Sequence, residues 1–279
     1  MTKTVIFSDL DGTFLDDSYS YDKTKPIVNQ LNALGGSVVF CSSKTRTEIE
    51  FYRKTTDNNE PFISENGSAI FIPKNYFIPD YAYTDKTPLY NIIRLGPSYD
   101  ILRQKLALVK EHTAAKIVGF GDMTLSELAK DTGLPLNLAR LAHKREHDEP
   151  FRILEGNKKH VIEAIKDQGL NCTEGGRYLH LTGGTDKGRA VNILKGLYYR
   201  SFGQIQTYAV GDGPNDGSML KAVDKPFFIA SKDVGSMLTA WLGILYHMSA
   251  TVQSGMHLFS EGALQIDAQV PLIKQINLT

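Results

Sequence analysis

The stretch Thr4-Val-Ile-Phe-Ser-Asp-Leu-Asp-Gly-Thr13 decides how the rest of the chain can fold. Its apolar run at residues 5–7 predicts a buried strand, so Asp9 and Asp11 leave the strand at its carboxyl end, where open α/β sheets bind ligands. Alternation along a strand places both carboxylates on one side. Two like charges that close are unfavourable unless a cation lies between them or one is protonated. Asp and Gly are also ordinary turn residues, so this stretch alone leaves either a site or a solvated turn open.

Composition narrows the class of protein. The chain has 279 residues, of which 42% are hydrophobic, and a formal net charge of zero. It can therefore bury a sizeable core in one large or two modest domains, and it has no overall field that would attract nucleic acid or an anionic membrane. Cys41 and Cys172 suggest neither a disulfide framework nor a zinc cluster. Without a signal-peptide pattern or a membrane-length apolar run, we expect a cytoplasmic protein with a small-molecule substrate; the oligomeric state is left open.

The first third of the chain alternates strands and helices. This order predicts a parallel sheet with right-handed crossovers. The predicted elements are strands at 5–7, 37–41 and 61–64, helices at 22–34 and 45–52, a turn at Glu65-Asn66-Gly67 and an extended run at 69–72. After residue 184 the same style returns, with helices at 187–198 and 217–222 and strands at 206–210 and 226–230. The tail at 239–279 has a mixed pattern, in which Ile244, Leu258 and Phe259 are expected to cover the sheet.

Residues 84–184, called the insert below, have a different order of predicted strands and helices. The periodicity predicts strands at 90–95, 116–120, 151–154 and 177–182 and helices at 99–112, 125–130, 136–144 and 160–166. The first of these helices should turn Ile101, Leu102, Leu106 and Val109 inward. The insert is long enough for a small α+β core of its own. His143 and His147 share a helical spacing, but the charged residues between them favour a solvated helix end over a metal site. His180 is expected to be packed or to face the crevice.

Three more polar groups follow predicted strands or glycine-rich loops. Ser42, with Lys44 and Arg46 nearby, stands where a hydroxyl and backbone amides can bind phosphate, although an ordinary helix cap fits equally well. Lys187 begins a helix after the loop Gly183-Gly-Thr-Asp and can offset anionic charge. The run 211–216, called the acidic loop below, lifts Asp212, Asn215 and Asp216 out of a strand as hard oxygen ligands for Mg²⁺ require, but by itself it is also compatible with a turn.

These segments together resemble the four motifs of the haloacid dehalogenase-like phosphatases. The matching segments are Asp9-Leu-Asp-Gly-Thr13, Ser42, Lys187, and Gly211-Asp212 with Asn215-Asp216. The resemblance implies an α/β fold with a Rossmann-like parallel-sheet core at 1–83 and 185–279, and makes the insert a C2-type cap of the Cof-type subgroup. Within that subgroup, 41–46, 64–67 and 181–188 look most like the mannosyl-3-phosphoglycerate phosphatases, with sucrose-phosphate phosphatase-like enzymes as near neighbours.

The resemblance implies a phosphatase mechanism. Asp9 would attack phosphorus, and Asp11 would protonate the leaving oxygen and then activate water. Mg²⁺ would be held by Asp9, the Asp11 backbone carbonyl and Asp212, with Asp216 binding directly or through water. Phosphoryl oxygens would be bound by Ser42, the Gly12 amide and Lys187, with Asn215 orienting the phosphate or the acidic loop.

The substrate is expected to be a phosphorylated glycoside that the insert selects. A glycerate carboxylate needs donors, which Thr182, Gly183, Gly184 and Thr185 offer, with Lys44, Arg46 or Arg177 as charge partners. Arg152 and Glu65 are candidates for the sugar, and Asn66 is expected to contact the substrate as well. An exposed arginine is often only solvated, and Asn66-Gly67 can also be a plain turn. Phosphatases of other sugar phosphates, a phosphomutase and a non-catalytic binding module are the alternatives; the last has no use for an acid beside Asp9.

Overall fold

The computed structural model describes residues 2–78, 80–231 and 233–256, with side chains up to residue 250. Strands and helices alternate through most of this length. In chain order they are β1 Lys3–Ser8, α1 Lys25–Ala33, β2 Gly36–Phe40, α2 Arg46–Thr55, β3 Phe62–Ser64, β4 Ala69–Pro73, β5 Asp85–Lys86, β6 Tyr90–Arg94, α3 Tyr99–Thr113, β7 Lys116–Gly119, α4 Leu125–Thr132, α5 Leu136–Ala142, β8 Glu149–Glu155, α6 Lys158–Asp167, β9 Asn171–Gly175, β10 Tyr178–Thr182, α7 Lys187–Phe202, β11 Ile205–Gly211, α8 Gly217–Lys221, β12 Lys225–Phe228 and α9 Val234–Met256.

The central sheet is parallel, in the order β12-β11-β1-β2. Ser8 pairs with Phe40 on one side and Val210 on the other, so the residues that follow β1, β2 and β11 meet at one edge. Ile6 packs into a core with α1 and α9, whereas Val5 and Phe7 pack on the opposite face with α7. Helices on both faces explain why the strands read as continuous apolar runs. The predicted parallel architecture is confirmed.

A second sheet, in the order β3-β4-β6-β5, is antiparallel. A single parallel bridge between Cys41 and Ile63 joins it to the edge of the central sheet. Within the insert, β6 therefore pairs with β4, which precedes the insert, and β5 pairs with β6. The division of the chain at residue 84 stays a prediction.

The rest of the insert has its own sheet and core. The sheet has the antiparallel order β7-β8-β10-β9, and α3 and α6 cover one face. Leu102, Leu106 and Val109 lie in that core as predicted, but Ile101 is 45% exposed, because the 3.6-residue period turns it off the buried face. The sequence does not predict β9, which carries mostly polar residues and pairs with β10 through a tight hairpin.

The described part of the tail belongs to one long helix, α9, of 23 residues, where the sequence suggests a mixed segment. Ile244 is fully buried against the central sheet, as predicted, while Leu258 and Phe259 lie outside the described residues. Trp241 is also fully buried, and its Nε1 donates a hydrogen bond of 2.9 Å to the carbonyl of Thr13. The helix thus supports the turn that follows β1. Across the described ranges, no helix combines the length and apolarity needed to span a bilayer.

Truncating Trp241 is expected to weaken the fold. Trp241→Ala should lower the free energy of unfolding by about 3–5 kcal/mol, because it empties a large buried volume. Trp241→Phe should cost less, since it keeps most of the packing and loses mainly the bond to Thr13. Urea unfolding measures both. Leu242→Ala is the matched control because its side chain is half exposed; an equal loss in Leu242→Ala and Trp241→Ala would contradict the supporting role.

Candidate active site

Three carboxylates converge at the carboxyl edge of the central sheet. Asp9 follows β1, while Asp212 and Asp216 belong to the acidic loop that follows the neighbouring β11. One oxygen from each lies within 4.8 Å of the others, and we call these three residues the acidic cluster. Asp9 and Asp216 are buried. Burial and the neighbouring Asp216 charge raise the pKa of Asp9 to about 7, although Lys187 opposes both.

Lys187 joins two members of the acidic cluster. Its Nζ lies 2.8 Å from Asp9 Oδ1 and 2.6 Å from Asp216 Oδ1, and its side chain is buried. Burial alone would lower the pKa of Lys187, but the charges of Asp216 and Asp9 outweigh it and hold that pKa above its ordinary value. The lysine therefore stays a cation, and it supplies part of the positive charge that the cluster needs.

The acidic loop is held by its own hydrogen bonds. Asp216 Oδ2 accepts from the backbone N–H of Asp212 at 3.0 Å and of Gly213 at 2.9 Å. Gly12 lies against this loop with φ +70°, and a Cβ there would be 2.5 Å from Asp212 Oδ2. Only glycine fits both the backbone angle and the space. The Gly12 position is thus fixed by the carboxylate that faces it.

Asp11 is paired with a lysine. Its side chain is 46% exposed, and Lys44 Nζ lies 2.9 Å from its Oδ1 and 3.5 Å from Glu48 Oε1. Lys44 itself is buried, with its ammonium 5.1 Å from the centre of the Tyr19 ring. The buried Ser42 hydroxyl accepts the Lys44 backbone N–H at 3.2 Å. Lys44 thus fixes the carboxylate beside the cluster.

Comparison with known families identifies the family of this chain. The profile of the haloacid dehalogenase-like hydrolases matches residues 6–234. The chain belongs to this family. The match begins within β1 and includes Asp9, Lys187 and the acidic loop, which carry the geometry described above.

Named relatives of this hydrolase share a substrate class. The glucosyl-3-phosphoglycerate/mannosyl-3-phosphoglycerate phosphatase of Methanococcoides burtonii is 45% identical over 234 residues, covering 83% of this chain and 86% of the relative. The mannosyl-3-phosphoglycerate phosphatase of Pyrococcus horikoshii is 40% identical over 227 residues, covering 81% and 90%. The predicted resemblance is confirmed.

Solved structures show the same fold at lower identity. Protein 0175 of Thermoplasma acidophilum has a TM-score of 0.62 and 17% identity, with 89% of this chain and 99% of that chain covered. A haloacid dehalogenase-like hydrolase from B. subtilis has a TM-score of 0.59 and 16% identity, with 88% and 98% covered. Both support the predicted α/β fold.

The acidic cluster of the hydrolase fits a divalent cation. Carboxylate oxygens are the ligands that hard cations prefer, and the three in the cluster already lie close enough to share one ion. Lys187 alone leaves the cluster with an excess of negative charge. A role of the Asp11 carbonyl as a further ligand stays a prediction.

The predicted arginines of the hydrolase have different partners. Arg46 pairs with Glu146 of the insert at 2.9 Å and with Glu50 at 3.4 Å. Arg152 pairs with Asp131. Arg177 is exposed and donates to the backbone carbonyls of Asp131 and Thr132. Of the three, Arg177 alone forms no ion pair with a carboxylate within the described part of the chain.

The glycine-rich loop before Lys187 lies at the junction with the insert. Thr185 Oγ1 donates to the Gly67 carbonyl at 3.0 Å, and Thr182 Oγ1 is buried without a hydrogen-bond partner among the described residues. Gly183 is buried, whereas Gly184 is exposed. The backbone groups predicted to bind a carboxylate thus lie next to the start of α7, which carries Lys187, and a role for them stays a prediction.

The predicted sugar contact Glu65 is engaged within the protein. Its fully buried carboxylate accepts the backbone N–H of His147 at 2.6 Å and of Glu146 at 3.0 Å, and it lies 3.2 Å from Arg145 Nε. Asn66 is buried as well. The 65–67 turn therefore holds the insert against the core, and substrate contacts for Glu65 and Asn66 stay predictions.

The solvated interpretation of His147 is wrong. The helix α5 ends at Ala142, and the chain then turns inward, so His147 is 5% exposed with its Nδ1 2.8 Å from the Pro97 carbonyl. Burial lowers its pKa. His180 is packed, as predicted, with Nδ1 2.8 Å from Asp148 Oδ2. The sequence also gives no sign that Asp148 is buried, because it lies in a run of charges typical of a surface.

Proposed function

We propose that this hydrolase is a Mg²⁺-dependent phosphatase that releases phosphate from mannosyl-3-phosphoglycerate or glucosyl-3-phosphoglycerate and leaves the glycosylglycerate. The observation that carries the chemistry is the contact of Lys187 Nζ with Asp9 Oδ1 at 2.8 Å beside two further carboxylates. The identity of 40–45% to phosphatases of these two esters supports the substrate. Such an enzyme would act in the cytoplasm.

Two carboxylates divide the work. An Asp9 oxygen forms a bond to phosphorus while the bond from phosphorus to the glycerate oxygen breaks, and Asp11 donates a proton to that oxygen. Asp11 then takes a proton from a water molecule that attacks phosphorus, which releases phosphate and restores Asp9. The exposure of the Asp11 side chain supports this role: Oδ1 is buried against Lys44, and the other oxygen is left open to a leaving group.

Charge and position are controlled by the surrounding residues. Bound Mg²⁺ would neutralise the acidic cluster, so that an anionic Asp9 can approach an anionic phosphate. We assign it to Asp9, Asp212 and the Asp11 carbonyl, with Asp216 binding directly or through water. Lys187, Ser42 and the Gly12 amide bind the phosphoryl oxygens in this scheme. Asn215 orients the acidic loop.

Substrate selection falls to the insert and to the loop before Lys187. The amides and hydroxyls of residues 182–185 are suited to the glycerate carboxylate. Arg177 is the best of the predicted charge partners, because Lys44 pairs with Asp11 and Arg46 pairs with Glu146. Arg152 faces Asp131 and would meet the sugar only by exchanging that partner.

A substrate panel tests this function. Free phosphate is measured with mannosyl-3-phosphoglycerate, glucosyl-3-phosphoglycerate, mannose 6-phosphate and sucrose phosphate, each with Mg²⁺ and with a chelator. We expect kcat/KM for a glycosyl-3-phosphoglycerate to exceed that for the other esters by roughly a hundredfold or more, because the polar groups of the site would otherwise stay unpaired. Chelation should abolish turnover. A preference for the hexose phosphates, or conversion that needs a bisphosphate and releases no phosphate, would contradict the proposal.

A further inference from the structure

A buried polar group connects the 65–67 turn to the insert. Its centre is Asp148, which is fully buried. Asp148 Oδ2 accepts from Asn66 Nδ2 at 2.8 Å, lies 3.0 Å from Arg145 Nη2 and lies 2.8 Å from His180 Nδ1. Buried charges with several partners of this kind keep a fixed geometry, because a lost partner leaves a charge away from water.

The same asparagine reaches the acidic loop. Asn66 Oδ1 accepts from Asn215 Nδ2 at 3.1 Å, and Asn215 stands immediately before Asp216. Both polar atoms of the Asn66 carboxamide therefore bind protein groups, one in the insert and one beside the acidic cluster. The sequence-based expectation that Asn66 binds substrate does not account for these two contacts.

The 65–67 turn also packs closely against the start of α7, the helix that begins at Lys187. Gly67 has φ +89°, and a Cβ there would be 2.2 Å from the Asp186 carbonyl oxygen, one residue before Lys187. The insert, the acidic loop and the start of α7 thus all contact residues 65–67.

The backbone of the turn depends on the insert. Glu65 and Asn66 have φ values of +49° and +57°, which side-chain-bearing residues seldom adopt unless their surroundings hold them there. Glu65 is held by the N–H groups of Glu146 and His147, both of which belong to the insert. Seating of the insert therefore fixes the direction in which Asn66 points.

We propose that Asn66 is a positioning residue that couples the seating of the insert to the geometry of the acidic loop, through Asp148 on one side and Asn215 on the other. This inference rests on the proposed phosphatase function, in which the acidic loop works on the phosphoryl group. The coupling orients the loop when the insert covers the site, and it requires no contact between Asn66 and substrate.

Asn66→Asp tests the coupling, because it removes the donor to Asp148 and places a second carboxylate beside it. We expect kcat to fall roughly tenfold to a hundredfold, as for other partners of metal-site residues, with both a glycosyl-3-phosphoglycerate and p-nitrophenyl phosphate. KM for each ester should stay within about twofold. Asn137→Asp, an exposed change of the same type in α5, should leave both constants unchanged. A rise in KM for the glycosyl ester alone would assign Asn66 to substrate binding and overturn the proposal.

The double variant Asn66→Asp with Asp148→Asn reverses the polarity of the bond and restores the total charge. The new amide at position 148 can donate to the new carboxylate at position 66, which can still accept from Asn215. We expect the double variant to have at least a several-fold higher kcat than Asn66→Asp. A double variant no better than the product of the two single losses would overturn the coupling.

Hydrogen exchange gives a readout that needs no substrate. The Asp212 and Gly213 amides, which are bonded to Asp216, should exchange faster in Asn66→Asp than in the wild type or in Asn137→Asp. Unchanged exchange together with unchanged kcat would refute the inference. Should Asn66→Asp fail to fold, Asn66→Ser replaces it, since it is too short to reach either partner and adds no charge. Failure of the proposed function is distinct: the wild type itself would then release no phosphate from the glycosyl esters.

Discussion

Asp9→Asn is expected to lower Mg²⁺-dependent phosphate release by about four orders of magnitude or more, the scale on which loss of a nucleophile acts. A carboxamide has no anionic oxygen with which to attack phosphorus. It has nearly the shape of the carboxylate, and its oxygen can still accept from Lys187, which lies 2.8 Å from Asp9 Oδ1. The fold should therefore persist. Steady-state phosphate release, with thermal unfolding followed by circular dichroism, measures both.

Asp17→Asn is the control for this change. Asp17 is an exposed acid in the turn that follows the same strand, so its loss alters charge without touching the acidic cluster. Its turnover should equal that of the wild type. Substantial turnover by purified Asp9→Asn would remove Asp9 from the role of nucleophile, whatever the substrate.

Lys187→Met is expected to reduce both activity and stability. Removal of the ammonium leaves Asp9 and Asp216 buried without their shared cation, and loss of one partner of a buried ion pair costs about 3–5 kcal/mol. Turnover should fall by roughly a hundredfold or more, since the phosphoryl group loses a fixed positive charge. Urea unfolding and phosphate release are the measurements, and Lys221→Met, an exposed lysine in α8, is the control.

The pH dependence of this loss has a definite sign. In the folded state, burial and the neighbouring Asp216 charge raise the pKa of Asp9, and Lys187 opposes both, so loss of Lys187 raises the pKa of Asp9 further above its value in the unfolded chain. The folded state then binds more protons, so the stability of the variant falls as the pH rises from 5 to 8. The measurement is made with a chelator present, so that no divalent cation replaces the lost charge. The difference in unfolding free energy between wild type and Lys187→Met should then be larger at pH 8 than at pH 5. An equal difference at both values, or a loss no larger than in Lys221→Met, would contradict the role of Lys187 as counter-ion.

The part of the site that lies on the core could be predicted because it follows from local sequence. A short apolar run predicts each buried strand of the central sheet. Because the strands are parallel, the residues that follow neighbouring strands lie at the same edge of the sheet. Asp9, Asp212 and Asp216 come together for this reason, and Lys187 reaches them from the first turn of α7, which packs on the same sheet.

The contacts between the core and the insert could not be predicted in the same way. Arg145, His147 and Asp148 lie in a charged run that normally indicates a solvated surface, yet all three are buried. They are buried because Glu65 and Asn66, about eighty residues earlier, supply hydrogen-bond partners. Sequence periodicity reports which residues are apolar, but it does not report which distant polar group will satisfy a buried charge.

Lys44 illustrates the same limit within the site. The sequence places it beside Ser42 and offers it as a partner for a substrate carboxylate, whereas the structure pairs it with Asp11 and Glu48. The long helix α9 is a further example, since its pattern becomes clear only when Trp241 and Ile244 are seen against the central sheet. In both cases the missing information is the position of a residue remote in sequence.

The central claim is that the Asp9 carboxylate takes up the phosphoryl group, and trapping of the acyl phosphate tests it most directly. The enzyme is quenched with acid during turnover of a glycosyl-3-phosphoglycerate and reduced with borohydride, which converts an aspartyl phosphate into homoserine. Peptide mass spectrometry then locates the modified position. Homoserine at position 9, and none without substrate, is the predicted result. Modification at position 11, 212 or 216 instead, or none at any aspartate while phosphate is released, would contradict the account.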